Sequence, residues 1–263
     1  MQSSLNKEAM RSKAHSHYNL MEQHFPNKIT ECVSNTKLYD VNFTFNNPKI
    51  KPTENQFIFE DLDTISAMIK YYSTRKMAVL NFASYKNPGG RFLDGSMAQE
   101  EVLCHNSILY NVLSRFPEYY AWNNKYKNKG LYTNRALYTP NVLFCPYDGV
   151  NTFVCDVITC AAPNKSAGWK YRTITENENY VELNDRIHFV LDIAAENNVD
   201  TLILGAFGCG VFGQNPNDVA SLFDNCLQST HYNRFNRVIF AVPHDLNIAN
   251  HMSFMKVFSQ GGK

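Results

Sequence analysis

Hydrophobic and polar positions follow two periods along this chain, and their order outlines an architecture. Residues 1–25 are polar with apolar positions at Leu5, Met10, Tyr18, Leu20 and Met21, the pattern of an amphipathic helix. YDVNFTFNNPKIKP, from Tyr39, reads as a loop or edge strand closed by turn residues. LDTISAMIKYYS then places Ile65, Met68, Ile69 and Tyr72 at helical spacing. Met77–Ala83 is a short apolar run, a candidate buried strand, followed by a glycine-rich loop and a helix from about Ser96. The stretch from Phe116 is aromatic and irregular and ends in a strand at Asn141–Cys145. Thr152–Ala162 is a second apolar run, broken by Pro163. Val181, Leu183, Ile187, Val190, Leu191 and Ala194 mark a long amphipathic helix. VDTLILGAF reads as a strand, NPNDVASLFDNCLQS as a helix and NRVIFAVP as a last strand. Strands alternating with helices predict an α/β fold with a mostly parallel sheet. We expect one domain over 1–263, with a helical extension over 1–75 and a ligand-binding core over 76–245.

Composition narrows this outline. The chain has 263 residues, 44% hydrophobic and 19% charged, ample for a sizeable core. A formal net charge of +1 gives no reason to expect a duplex nucleic acid partner, which usually shows as a basic surplus. Seven cysteines cannot all pair, no C-x-x-C occurs, and no histidines cluster at metal-ligand spacing. His15 and His17 lie in a polar stretch and read as solvated surface. The first twenty residues hold no apolar run, so no secretory signal is expected, and no window approaches a membrane span. Reduced thiols in a cytoplasmic compartment fit best.

Two glycine-rich loops carry the candidate chemistry. In LGAFGCGVFGQNPNDVA, Gly208, Gly210 and Gly213 spell G-x-G-x-x-G between a strand and a helix. Asn215 suits the N-cap, Pro216 the first helical position and Asp218 the first turn. Such a turn aims several backbone N–H groups at an anion. A dinucleotide fingerprint would come early in the chain, with an acid about 20 residues on; here the motif is late and that acid is missing, so the NAD reading is weak. The other loop, Asn87–Gly95, also joins strand to helix, with Ser96 and Gln99 spaced as a capping box. Turns after neighbouring parallel strands share the edge where α/β sheets gather ligands, so two such loops could grip a diphosphate from two sides.

Glu100 and Glu101 follow, one turn inside the predicted helix. Adjacent helical residues point about 100° apart, so the two carboxylates divide their tasks. Acids at a helix start are common for electrostatic reasons alone. Burial beneath a ligand, a nearby diphosphate and a second glutamate all push a carboxyl pKa up, which describes an acid that is protonated when covered. Cleavage of a glycosidic bond needs such an acid on the leaving oxygen.

LNFASYKNPGGRFLDGSMAQEEVL closely resembles the signature of microbial-type poly(ADP-ribose) glycohydrolases, a glycine run followed by Q-E-E. VITCAAPN and LGAFGCGVFGQNPNDVA resemble later blocks of that family, in the same order. The resemblance implies a macrodomain-like three-layer α/β/α sandwich with a mixed, largely parallel sheet and an N-terminal helical extension. It implies hydrolysis of the ribose–ribose O-glycosidic bond of poly(ADP-ribose), with ADP-ribose as product and no cofactor or metal. Glu101 would be the catalytic acid, helped by Glu100. Glu100 and Gln99 would help fix the distal ribose and the loop, and Asn87 would bond a ribose hydroxyl. The Gly89–Gly90 loop and the run Gly208, Cys209, Gly210, Val211, Phe212, Gly213 would wrap the diphosphate, Phe212 pressing the ribose towards the acid. Substrate partners would be poly(ADP-ribose) or ADP-ribosylated proteins, with no membrane. One departure stands out: the family's third glycine is Arg91 here, which either adds a phosphate contact or crowds the loop. Two alternatives stay open, a mono-ADP-ribosyl hydrolase and a macrodomain that binds ADP-ribose without turnover. Cys155 and Cys160 read as core, and His105 as a surface or satisfied structural residue.

Overall fold

The computed structural model describes residues 2–46, 56–146, 152–170, 174–229 and 234–259. In chain order the first elements are α1 (Gln2–His24), α2 (Pro26–Asn35), β1 (Lys37–Tyr39), β2 (Gln56–Glu60), α3 (Thr64–Tyr71), β3 (Met77–Phe82), α4 (Gln99–His105), α5 (Leu109–Leu113) and α6 (Pro117–Lys125). They are followed by β4 (Ala136–Phe144), β5 (Phe153–Cys160), α7 (Lys165–Lys170), α8 (Glu176–Glu196), β6 (Thr201–Leu204), α9 (Pro216–Leu227), β7 (Arg237–Ala241) and α10 (Ile248–Phe258).

The strands form one sheet in the order β1-β4-β5-β3-β6-β7-β2. From β5 across to β2 every neighbouring pair is parallel, whereas β1 and β4 run antiparallel at the other edge. The central strands are apolar on both faces because both are covered. Ala78, Leu80, Ile158, Leu202, Val238 and Phe240 pack on one side with α8, α9 and α10. Val79, Val157, Ile203 and Ile239 pack on the other with α1 to α6. Each such Val, Leu, Ile or Phe side chain removed from water contributes about 1.5–3 kcal/mol, so two continuous apolar layers fix which face of the sheet each helix covers. The fold is therefore a mixed, largely parallel three-layer α/β/α sandwich, as expected. No helix among the described residues is long and apolar enough to cross a membrane.

The expected outline changes in three places. The segment 1–75 is not only helical: β1 and β2 lie within it and take the two edges of the sheet. Pairing decides this, since β2 finds its partner β7 about 180 residues later, beyond the reach of any local pattern. The packed core also runs past residue 245, because Phe254 and Phe258 of α10 are buried and Phe258 stacks on Phe240 at 3.8 Å. β4 starts at Ala136, five residues before the apolar run suggested, with a register shift between Thr139 and Val142 where Pro140 interrupts the ladder. The end of the YDVNFTFNNPKIKP stretch lies outside the described residues.

β3 and β6 are adjacent and parallel, Val79 opposite Ile203. The two glycine loops leave their carboxyl ends and so open on the same edge of the sheet.

Candidate functional site

α4 begins at Gln99, with Ala98 as an N-cap that makes no side-chain bond. The expected Ser96 capping box is absent because the Gln99 side chain is used elsewhere. Its Oε1 accepts from the Phe82 N–H at 2.9 Å and its Nε2 donates to the Leu80 carbonyl at 2.9 Å. Gln99 thus anchors α4 to the end of β3 and holds the loop between them.

Both glutamates are buried by the protein itself, 3% and 6% exposed, with no ligand needed to cover them. Glu100 Oε2 accepts from the Ser84 N–H at 2.6 Å, and Oε1 accepts from Asn81 Nδ2 at 3.2 Å. Burial pushes the Glu100 carboxyl up to about 8, with the neighbouring Glu101 adding to the rise and the bonds from Ser84, Asn81 and Gly89 opposing it. Glu101 Oε1 accepts from the Arg91 N–H at 2.8 Å. Its Oε2 is buried without any hydrogen-bond partner. A buried polar atom left open in this way is costly, and it sets this oxygen apart from those of Glu100.

Gly90 leaves room for these carboxylates, and Gly89 for Tyr110 and Cys104. Gly90 has φ +59°, and a Cβ there would come within 2.4 Å of Glu101 Oε1 and 3.0 Å of Glu100 Oε2. Gly95, at φ +79°, lies so close to α1 that a Cβ would meet the Arg11 nitrogen at 2.8 Å. The long N-terminal helix therefore braces the loop from behind. Arg91 does not crowd the loop: its φ is −117°, outside the left-handed region, and its exposed guanidinium pairs with Asp94 at 3.0 Å.

The two loops divide their work in a way the sequence did not show. The first spends its amides on itself and on the acids. Ser84, Gly89 and Arg91 donate to the glutamates, Lys86 and Asn87 to Ser84 Oγ, and Gly90 to the Asn87 carbonyl. The second loop keeps its amides free: among the described residues, the N–H groups of Gly210, Val211 and Phe212 have no intramolecular acceptor. Val211 is 86% exposed, and Gly210 has open space around it. Successive free backbone donors of this kind are suited to an anion. Gly208 (φ +77°) and Gly213 (φ +72°) set its two bends, and Asn215 caps α9 through the Asn217 N–H as expected. Cys209 is half-buried, its thiol pushed up to about 12 by burial. Asn87 is exposed on the rim.

An aromatic cluster joins the loops. Tyr85 of the first stacks on Tyr132 at 4.0 Å, and Tyr132 meets Phe212 of the second edge-on at 5.9 Å. Neither tyrosine stood out in the sequence. Nor did the polar stripe of α8, Asn179, Glu182 and Arg186, at the i, i+3, i+7 spacing of one helix face. Asn179 exchanges two amide bonds with Gln214 at 2.8 and 2.9 Å, and Gln214 donates to the Pro163 carbonyl at 2.8 Å. That spacing was the available signal. His105 is buried as a structural residue, but neither ring nitrogen finds a partner, and burial lowers its pKa to about 4. His17 is not wholly solvated: its Nε2 bonds the Ser107 carbonyl at 2.9 Å. Cys155 and Cys160 are core. Among the described residues no three His, Cys, Asp or Glu side chains are grouped to hold a metal ion.

The family described as "Microbial-type PARG, catalytic domain" matches residues 5–145, more than half of the chain. A poly(ADP-ribose) glycohydrolase structure from Thermomonospora curvata superposes with a TM-score of 0.84 at 28% identity, covering 95% of this chain and 100% of that one. The same organism's enzyme bound to the inhibitor ADP-HPD gives 0.81 at 27% identity, over 95% and 99%. The glycohydrolase of Deinococcus radiodurans in complex with ADP-ribose gives 0.78 at 28% identity, over 88% and 97%. No curated protein matches the chain.

Proposed function

The chain belongs to the microbial-type PARG catalytic-domain family, and from that premise we propose that it hydrolyses the ribose–ribose O-glycosidic bond of poly(ADP-ribose) with Glu101 as the acid. The observation that carries this reading is the unpartnered, buried Oε2 of Glu101. Both oxygens of Glu100 are occupied by Asn81 and Ser84, so Glu101 has the oxygen left for a substrate. The diphosphate rests on the free amides of Gly210, Val211 and Phe212. Asn87, Gly89 and Gly90 carry the rim and floor on the other side. Phe212 presses the ribose towards the acid.

Glu101 donates its proton to the departing ribose oxygen as the anomeric C–O bond to it breaks. The positive charge that develops on the ribose is stabilised by the diphosphate and by the carboxylate that Glu101 becomes. Water adds to that anomeric carbon and returns its proton to Glu101. In the free protein the raised pKa belongs to Glu100. An anionic ligand seated against the pair disfavours a second negative charge beside it, so the pair keeps its proton while substrate is bound. ADP-ribose is the product, and poly(ADP-ribose) or ADP-ribosylated protein the substrate. The seven unpaired cysteines support a reducing, cytoplasmic setting.

Glu101→Gln tests the assignment. We expect ADP-ribose binding by calorimetry to stay within about threefold and release of ADP-ribose from polymer to fall by about 10²–10⁴, the usual range for a general acid. Polymer hydrolysis by the variant at the wild-type rate would refute the role. Parallel incubation of the wild type with mono-ADP-ribosylated protein separates polymer cleavage from removal of single units. Binding without release from either substrate would identify a reader.

A further inference from the structure

Arg186 is fully buried on α8, and its donors reach three points on the loops around the cleft. Nε donates to Asn134 Oδ1 at 2.6 Å, Nη2 to the Leu131 carbonyl at 3.3 Å, and Nη1 to the Ala161 carbonyl. Ala161 and Tyr132, the neighbour of Leu131, pack with Tyr85 in the aromatic cluster that Phe212 lies against. The turn that presents Tyr132 is an uncommon one: Asn128, Lys129, Gly130 and Tyr132 all have positive φ. Non-glycine residues in that region cost energy and persist where their surroundings over-determine them. α8 supplies the restraint from one face. Glu182, one turn before Arg186, accepts from Asn128 Nδ2 at 3.4 Å at the start of the turn, and Arg186 holds Leu131 near its end.

We infer that Arg186 is a positioning residue for hydrolysis, acting through Tyr132 and Phe212 on the ribose; this rests on the assignment of Phe212 above. A planar guanidinium can satisfy three acceptors in fixed directions at once, and a lysine ammonium on a flexible stem cannot hold the same geometry. With the fork gone, the turn carrying Tyr132 relaxes, the edge contact on Phe212 shifts and the ribose sits off line. The diphosphate contacts stay in place, because the second loop is held separately by Gln214 and Asn179.

The test is a double-mutant cycle on polymer hydrolysis using Arg186→Lys and Phe212→Ala. For Arg186→Lys alone we expect kcat to fall by about 10- to 100-fold, the scale of a misplacement near 1 Å, with the Kd for ADP-ribose changed less than about threefold. In the Phe212→Ala background the same substitution should lower kcat by less than about threefold, because coupled residues are non-additive. Equal fold losses in both backgrounds, or wild-type kcat in the single variant, would overturn the inference. If Arg186→Lys does not fold by circular dichroism, Asn134→Ala removes one acceptor of the fork from a half-buried site, and the cycle is run with it to the same two outcomes. A wild-type protein that releases nothing from polymer would refute the glycohydrolase assignment, a result distinct from a failed cycle.

Discussion

Replacing Glu100 by glutamine should change how stability depends on pH more than it changes stability at any one pH. In the folded chain burial holds this carboxyl near pH 8, against an ordinary value of 4.5. Between those limits the native state binds a proton that the unfolded state releases. Stability therefore falls as pH rises: the favourable contribution is complete below about 4.5 and is lost as pH passes through 8. At about 1.4 kcal/mol for each tenfold change in proton affinity, the full difference is roughly 5 kcal/mol. Glutamine stays neutral throughout and retains one acceptor for Asn81 or Ser84. The assay is urea or thermal unfolding of wild type and Glu100→Gln at pH 5, 6, 7, 8 and 9, read as the difference between the two proteins. His105, whose pKa burial lowers to about 4, shifts both proteins alike and cancels in that difference. We expect Glu100→Gln to gain on the wild type from pH 5 to about 8 and to level off by pH 9, a total of roughly 10 °C in Tm for a chain of this size. Parallel Tm curves across that range would refute the claim that the buried pair holds a proton at neutral pH.

Two further substitutions probe the loop. Gly90→Ala puts a methyl group 2.4 Å from Glu101 Oε1 at φ +59°; it should lower stability by about 1–2 kcal/mol for the backbone alone and reduce kcat by at least about 100-fold through displacement of the acid, and a variant with wild-type kcat would show that Gly90 does not set the position of Glu101. Arg91→Gly keeps the backbone N–H that donates to Glu101 and removes only an exposed guanidinium; kcat/KM on polymer should change by less than about threefold, since exposed pairs contribute little, and a tenfold loss would place the side chain on the substrate.

Much of the site was legible in the sequence because its chemistry is written locally. A strand, a glycine turn and a helix carrying two acids occur within 30 residues, and the Asn215–Pro216 helix start after the second loop followed from rules that act over three or four positions. The capping box failed for a reason of longer range: Gln99 is drawn to the open backbone at the end of β3, a partner that exists only once strand and helix have packed. Arg186 was invisible for the same cause. Its acceptors lie 25 to 55 residues away in sequence, on two separate loops.

The order of apolar runs, the two glycine loops, the acid pair and the family signature were properties of the linear chain, since each depends on spacing that survives unfolding. Tertiary structure decided the rest: that β1 and β2 close the two edges of the sheet, that the first loop serves the carboxylates while the second keeps three amides open, and that Glu100 holds the raised pKa while Glu101 keeps the free oxygen. These are matters of burial and hydrogen-bond competition. Which donor meets which acceptor, and which charge loses its water, is settled only when segments distant in sequence are pressed together.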